Sequence, residues 1–389
     1  MKVLVVAEFY PRAADPVLGV WAHRQATAAR DAGAEVRVAV LYRPLPPAAR
    51  ARDPHAWLTA LRQPRTATLD GIAVDYVRYV SPPRGRSYPR WGSWAAPALA
   101  RALRRLRREF PYDLVHAHYA APAADSVLRA RALGGGVPLV ISEHGGDVFH
   151  TARLPGGEER VRSAFGAARL VLANSAGIAE ACRGLGARDV RVVHLGTDLP
   201  ERAQPAPEGD ETLVTVAHLV ARKRHADVIR AVARLADRRP RLRYRIVGDG
   251  PEREPLRRLA AELGVADRVE LVGALAPGEA VAAGRRAALF VMPSTDEAFG
   301  VAYVEAMAAG VPAIGAAGEP GPEEIAAQGG GSRLVPAGDV DALAATIDAL
   351  LDPEERRRAG AAARKTVERA FTWERCGRDT VAAYEEALR

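Results

Sequence analysis

PSTDEAFGVAYVEAMAAGVP, residues 293–312, is the stretch from which the rest of the chain can be read. One apolar run, Ala288 to Met292, precedes it, and a second, Val311 to Ile314, closes it. Short apolar runs on either side of a helix-period segment read as two buried parallel strands joined by a crossover helix. A helix starting near Phe299 leaves the backbone N–H groups of Phe299, Gly300 and Val301 unpaired beside the carboxyl end of the first strand, where an anion is favoured. With Val301 at zero and about 100° per residue, Val304, Met307 and Ala308 fall at about 300°, 240° and 340° and form an apolar stripe. Glu305 falls at about 40°, on the edge of that stripe. Burying a carboxylate unpaired is costly. Glu305 is therefore expected to have a hydrogen-bonding partner, and one carboxylate can accept both hydroxyls of a ribose diol. Glu297, in the preceding loop, is expected at the mouth of the crevice with Glu305 deeper. The plainer alternative pairs Glu305 with an arginine and leaves Glu297 on a surface loop.

Length and composition set the frame. A chain of 389 residues is too long for one ordinary core. The expected division is a first Rossmann-like domain at 1–198, a linker at 199–211, a second Rossmann-like domain at 212–372 and a terminal helix at 373–389. MKVLVVAEFYPR has too short an apolar core for a signal peptide and reads as a first strand. No run reaches the roughly 18 apolar residues of a membrane span. Cys182 and Cys376 make no C-x-x-C pair, which points to the reducing cytoplasm without disulfides or structural zinc. Charge is uneven: residues 1–198 hold 28 Lys/Arg against 17 Asp/Glu, the remainder 27 against 30. Eight arginines crowd Arg84 to Arg108 beside Trp91 and Trp94, with no acid between. Such a segment suits an anionic surface, either lipid head groups or nucleic acid, or is simply a solvated helix face. Only three of the basic residues are lysines, Lys2, Lys223 and Lys365.

Strand–helix alternation begins at once, with a strand at Val3–Ala7, a helix at Val20–Ala32 closed by Gly33, and a strand at Val36–Leu41. The loop between carries one glycine, Gly19, so the dinucleotide fingerprint is absent. Pro44 to Pro64 reads as a long irregular loop. Further on, a strand end presents His116, His118 and Tyr119, and another ends in SEHGGDVF with His144 and Asp147. Ends of strands are where open α/β sheets bind ligands. Zinc is not expected there, because no paired cysteine or spaced acid accompanies the histidines. From Thr212 the same alternation restarts, which predicts a second doubly wound parallel sheet. Lys223 stands six residues past its first strand, a compact point charge suited to a diphosphate.

Glu297, Phe299, Gly300, Glu305, Ala306, Met307, Gly310 and Pro312 together resemble the two-glutamate segment of the retaining, nucleotide-sugar-dependent glycosyltransferases of family 4. Ala298 stands where that family usually has Gly. The resemblance implies the α/β fold called GT-B, with two Rossmann-like doubly wound domains facing each other across a cleft and the last helix crossing back to the first domain. HGGD is similar to the family's H-G-x-D, which implies that His144 orients the donor sugar. LGTD, Leu195 to Asp198, resembles the close of the family's first domain. HLVARKRH resembles its phosphate loop, which implies a diphosphate held by Lys223, with His218 or Arg222 replacing a missing arginine. By the same resemblance Gly19, Gly248, Gly273, Leu275, Phe299, Gly300, Val301 and Glu305 are expected on the donor side with Glu297. His116, His118, Tyr119 and Asp147 are expected toward the acceptor.

The implied activity is transfer of a hexosyl group from a nucleoside-diphosphate sugar to a hydroxyl of a glycan, glycolipid or small molecule, in cell-envelope or polysaccharide biosynthesis. No D-x-D stands at a strand end, so no metal and no other cofactor is expected. The expected location is cytoplasmic, peripheral on the inner face of the membrane, with Arg84 to Arg108 contacting anionic lipid. A nucleotide-sugar epimerase on the same fold and a non-catalytic nucleotide-sugar-binding scaffold remain as rivals. Nucleic acid is not expected, since no binding module accompanies the arginines.

Overall fold

The computed structural model describes residues 1–46, 51–131, 136–204, 206–207 and 209–389. They fall into two compact units, Met1–Leu195 with Trp373–Arg389, and Gly196–Thr372. The expected linker 199–211 lies in the second unit; its residues 205 and 208 are outside the described residues.

In the first unit the strands are β1 (Lys2–Ala7), β2 (Glu35–Tyr42), β3 (Thr66–Leu69), β4 (Ile72–Arg78), β5 (Leu114–His118), β6 (Leu139–Glu143), β7 (Leu170–Ala173) and β8 (Val190–Val192). They form one sheet in the order β3-β4-β2-β1-β5-β6-β7-β8. All neighbours are parallel except β3, which pairs antiparallel with β4 through a turn at Asp70 and Gly71, both at positive φ. Asp-Gly suits such a turn because both positions need left-handed backbone. Val3 to Ala7 are fully buried, as strands covered by helices on both faces must be. The chain then leaves β1 for β2 on one side and later returns to β5 on the other. The carboxyl ends of β1 and β5 thus flank the switch point where an open sheet parts into a crevice.

Pro44 to Pro64 is not one irregular loop. Residues 47–50 lie outside the described residues, but Pro54–Arg62 is a helix. Asp53 starts it by accepting the His55 N–H at 2.9 Å, and Pro54 takes the first helical position, where a missing N–H costs nothing. The basic segment is largely the helix Trp91–Glu109, whose Leu99, Leu103 and Leu106 are buried. The terminal helix Trp373–Leu388 belongs to the first unit. Gly377 lets it lie against the helix Val20–Asp31: a Cβ there would stand 2.2 Å from the Ala28 carbonyl oxygen. Cys376, Ala383, Tyr384 and Ala387 complete this unit's core.

The second unit holds β9 (Thr212–Val216), β10 (Arg243–Val247), β11 (Val269–Gly273), β12 (Leu289–Val291), β13 (Ala313–Ala316) and β14 (Ser332–Val335). They run parallel in the order β11-β10-β9-β12-β13-β14, with the switch point between β9 and β12. The quoted stretch is the crossover from β12 to β13, as expected. Its helix is only Val301–Met307, however, beginning after Gly300 rather than at Phe299. Gly300 takes φ 83°, a left-handed turn that delays the helix. Two turns carry little dipole, so cations matter more than helix amides at this site.

Candidate active site

The loops that follow β9 and β12 meet at the second switch point. The Thr295 N–H donates to the Arg222 carbonyl at 2.8 Å, which ties the two loops together. Lys223 then reaches the Glu297 carboxylate at 2.5 Å, with only 11% and 10% of the two side chains exposed. Ser294 Oγ donates to the same carboxylate oxygen at 2.9 Å, and Arg222 Nη1 stands 3.9 Å from it. Glu297 is held by its backbone as well. Its N–H donates to Glu319 Oε2 at 3.0 Å, and its carbonyl accepts the Gly321 N–H at 2.8 Å. Gly321 is required for this approach, since a Cβ would lie 2.3 Å from the Phe299 carbonyl oxygen.

These contacts reverse the expected depths. Glu297 is 8% exposed, and Glu305 is the more open of the two acids. Nor does Glu305 have the expected partner: among the described residues no group bonds its carboxylate. Arg285 instead donates to the Glu305 backbone carbonyl at 3.2 Å and to the Asp198 carbonyl. Burial raises the Glu305 pKa, against the pull of the Arg285 charge and with a push from Asp198. The plainer alternative also fails here, because the guanidinium holds backbone and leaves the carboxylate open.

The other expected donor-side residues sit in the same unit, apart from Gly19. Gly248 and Gly273 pair with each other, Gly248 N–H to the Gly273 carbonyl at 2.9 Å, which closes the ends of β10 and β11. Leu275 follows β11 and is half-buried, and the His218 imidazole is exposed. Gly19 lies in the first unit, where φ 65° and a Cβ position 2.2 Å from the Phe9 carbonyl carbon make glycine obligatory for backbone reasons. Sequence reasoning missed Glu319 and Ser294. Nearby, Glu323 accepts the Gly318 N–H of its own turn at 2.8 Å.

At the first unit's switch point an aromatic cluster gathers. The Phe9 and Tyr119 rings lie 5.5 Å apart at the ends of β1 and β5. Tyr119 is 5.3 Å and Trp21 6.3 Å from the His144 ring. His118 Nδ1 shares a hydrogen with His144 Nε2 at 2.9 Å, leaving His118 Nε2 and His144 Nδ1 buried without a partner. Burial pushes His144 and His116 down to about 3, so both rings are neutral. His116 and Asp147 do not face an acceptor as expected. Both ring nitrogens of His116 are engaged, by Ser142 at 2.8 Å and Tyr384 at 2.7 Å. Asp147 is fully buried and accepts the Ala120 N–H at 2.5 Å, because the turn after β5 needs a partner for its free amides. Among the described residues, no group of three or more His, Cys, Asp or Glu side chains is placed to hold a metal.

Two doubly wound α/β units, each with a switch point at the carboxyl ends of its strands, define the class of open-sheet proteins that bind ligands there. Residues 18–201 match the family described as Glycosyltransferase Family 4, and residues 198–366 match Glycosyl transferases group 1. The D-inositol 3-phosphate glycosyltransferase of Streptomyces bingchenggensis is 34% identical over 317 residues, 72% of this chain and 67% of that protein. The chain belongs to these glycosyltransferases. The exopolysaccharide phosphotransferase of Streptomyces coelicolor is 38% identical over 173 residues, but that match spans 18% of its length and 44% of this chain. The fold is that of the sucrose-phosphate synthase from Thermosynechococcus elongatus, with TM-score 0.77 at 21% identity over 99% of each chain. Anabaena HepE in complex with UDP and glucose gives 0.72 at 20% identity, again over 99% of each chain.

Proposed function

We propose that the chain moves a hexosyl group, with retention, from a nucleoside-diphosphate sugar to a hydroxyl of a glycan, glycolipid or small-molecule acceptor, in cell-envelope or polysaccharide biosynthesis. The observation that carries this is the buried Lys223–Glu297 pair at the second switch point, with the open carboxylate of Glu305 on the helix that follows. Support for a hexosyl donor comes from the named activity of a Corynebacterium glutamicum GDP-mannose-dependent mannosyltransferase, 29% identical over 75% of this chain.

Breaking the bond between the anomeric carbon and the diphosphate oxygen leaves positive charge on the sugar ring and negative charge on the diphosphate. Lys223 and Arg222, with the amides of Gly300 and Val301, stabilise that negative charge; removing one such donor costs roughly 3–4 kcal/mol in kcat. A diphosphate oxygen takes the proton of the acceptor hydroxyl while the acceptor oxygen bonds the same face of the sugar. Glu305 accepts the ribose hydroxyls, and Glu297, once Lys223 turns to the diphosphate, faces the sugar. His144 orients the sugar, and Tyr119 and His118 stand toward the acceptor. Two cations at the leaving group serve in place of a metal.

The division of labour is tested by two variants. Glu297→Ala should abolish transfer and leave nucleotide affinity within about tenfold, whereas Glu305→Ala should weaken nucleotide binding; equal effects of both would contradict the assignment. Donor incubated without acceptor separates the rivals. An epimerised sugar would mean an epimerase, and tight nucleotide binding without turnover over a broad acceptor panel would mean a scaffold.

A further inference from the structure

The helix Pro54–Arg62 is built the wrong way round for a helix that only covers its own core. It buries its small residues, Ala56 at 2% and Ala60 at 0% exposure, and turns its large ones outward, Trp57 at 38%, Leu58 at 48% and Leu61 at 52%. The three outward side chains fall within about 100° of arc, so they form one face. The arrangement is fixed from beneath and from the side: Tyr42 Oη donates to the Ala60 carbonyl at 2.5 Å, and Trp57 Nε1 donates to the Ala51 carbonyl at 2.8 Å. An apolar patch held outward in this way marks a contact surface.

Its surroundings choose the partner. Arg52, Arg62 and Arg65 are exposed and have no ion-pair partner among the described residues. Asp53 is the one acid between residues 51 and 69, and its side chain is used as the helix cap. On the same edge, Arg78 of β4 donates to the Leu61 carbonyl at 3.1 Å, and two residues on Val80 is 78% exposed. Large exposed apolar side chains close in sequence to exposed cations without an ion pair among the described residues match the boundary between acyl chains and anionic head groups.

We propose that this helix docks the chain on an anionic lipid bilayer, with Trp57, Leu58 and Leu61 entering the head-group layer and Arg52, Arg62 and Arg65 pairing with lipid phosphates. This moves the contact away from the carboxyl half of the Arg84–Arg108 segment. There Arg105 bonds Asp75 at 2.5 Å, Arg107 lies 4.8 Å from the Tyr112 ring, and the leucines point into the core. The docking helix is also tied to the loop after β1, through the Ala13 N–H to Gln63 Oε1 at 2.8 Å. A bilayer seated here would therefore present a lipid-anchored hydroxyl to the first unit's crevice, a last step that rests on the transferase reading.

Co-sedimentation of the full chain with vesicles of phosphatidylcholine, alone or mixed with phosphatidylglycerol, tests the docking. Binding to the mixed vesicles and release by high salt are expected. Replacing Arg52, Arg62 and Arg65 by Gln should lower binding by about a hundredfold, at about fivefold per charge. Trp57→Ser with Leu61→Ser should lower it at least about tenfold at an unchanged melting temperature. Arg101, Arg104 and Arg108 changed together to Gln should alter it by less than about fivefold. Vesicle binding that survives the Trp57/Leu61 change, or that depends equally on the second arginine set, would overturn the proposal. So would a chain that ignores vesicles and dimerises through Trp57 in sedimentation equilibrium. Transfer to a water-soluble acceptor is unaffected by these variants, so failure of docking and failure of the transferase reading are told apart.

Discussion

Replacing Lys223 by Met removes a buried charge while keeping most of the side chain's volume. Glu297 would then keep only Ser294 Oγ at 2.9 Å as a near partner, with Arg222 at 3.9 Å and largely in solvent. Breaking a buried ion pair from one side costs about 3–5 kcal/mol, because the remaining charge stays desolvated. Lys223→Met should therefore destabilise the second unit by about 3–5 kcal/mol at pH 7. Adding Glu297→Gln should restore most of the loss, since the orphaned charge is gone. Urea unfolding of the two single variants and the double variant closes the cycle. Additive effects would show that the pair is not coupled as its geometry requires.

Two further outcomes follow from the packing. Gly321→Ala places a methyl group 2.3 Å from the Phe299 carbonyl oxygen, backbone that cannot swing aside; the loop carrying Glu297 must shift, so kcat should fall at least about tenfold for a stability loss of about 1–3 kcal/mol, measured by turnover and melting. The first unit should weaken in acid. Burial depresses His116, His118 and His144, so each contributes stability that is complete above about pH 6.5 and is lost as pH falls, by up to about 1.4 kcal/mol per pH unit. Glu143 acts oppositely, because burial and the neighbouring Asp147 raise its pKa. Its contribution is present below about pH 4.5 and lost as pH rises, and the raised carboxyls of Glu8, Asp125 and Asp147 act in the same direction, so the imidazole loss is unopposed only below about pH 4. The fall should be steepest there, and His118→Gln should flatten it; a urea midpoint that stays level from pH 4 to 3 would contradict the assignment.

Much of the fold was legible because its signals are local. Apolar runs such as Val3 to Ala7 cannot be anything but buried strands in a chain that alternates them with helices, and the terminal helix expected at 373–389 is Trp373–Leu388. The helix Pro54–Arg62 was missed for a physical reason. Its start signals, Asp53 and Pro54, follow a run of prolines, and its outward Trp57, Leu58 and Leu61 give it no core-facing stripe of the usual kind. At the site, residue types were readable but distances were not. Lys223 and Glu297 are 74 positions apart, and only the strand order brings their loops together. Glu319 carried no signal, because its work is to hold the Glu297 backbone N–H, which any acceptor could do.

The depth reversal of the two glutamates has a simple origin in the sheet. Helix periodicity ranks Glu305 against its own helix neighbours, yet the depth of Glu297 is set by the loop after β9 lying across it. A buried carboxylate survives there because Lys223 and Ser294 replace its hydration. That arrangement also suits exchange. On the proposed reading a diphosphate arriving at Lys223 substitutes one anion for another, so the lysine is never left desolvated and alone, and Glu297 is released at the moment the sugar arrives. A lysine fits this better than the arginines that dominate the chain, because a single rotatable point charge can change partners without breaking a two-pronged fork. Lys223→Arg should accordingly keep the fold, since the pair with Glu297 survives, yet slow transfer by about tenfold or more. Native turnover by that variant, measured at saturating donor, would mean that the charge alone suffices and that the exchange of partners plays no part.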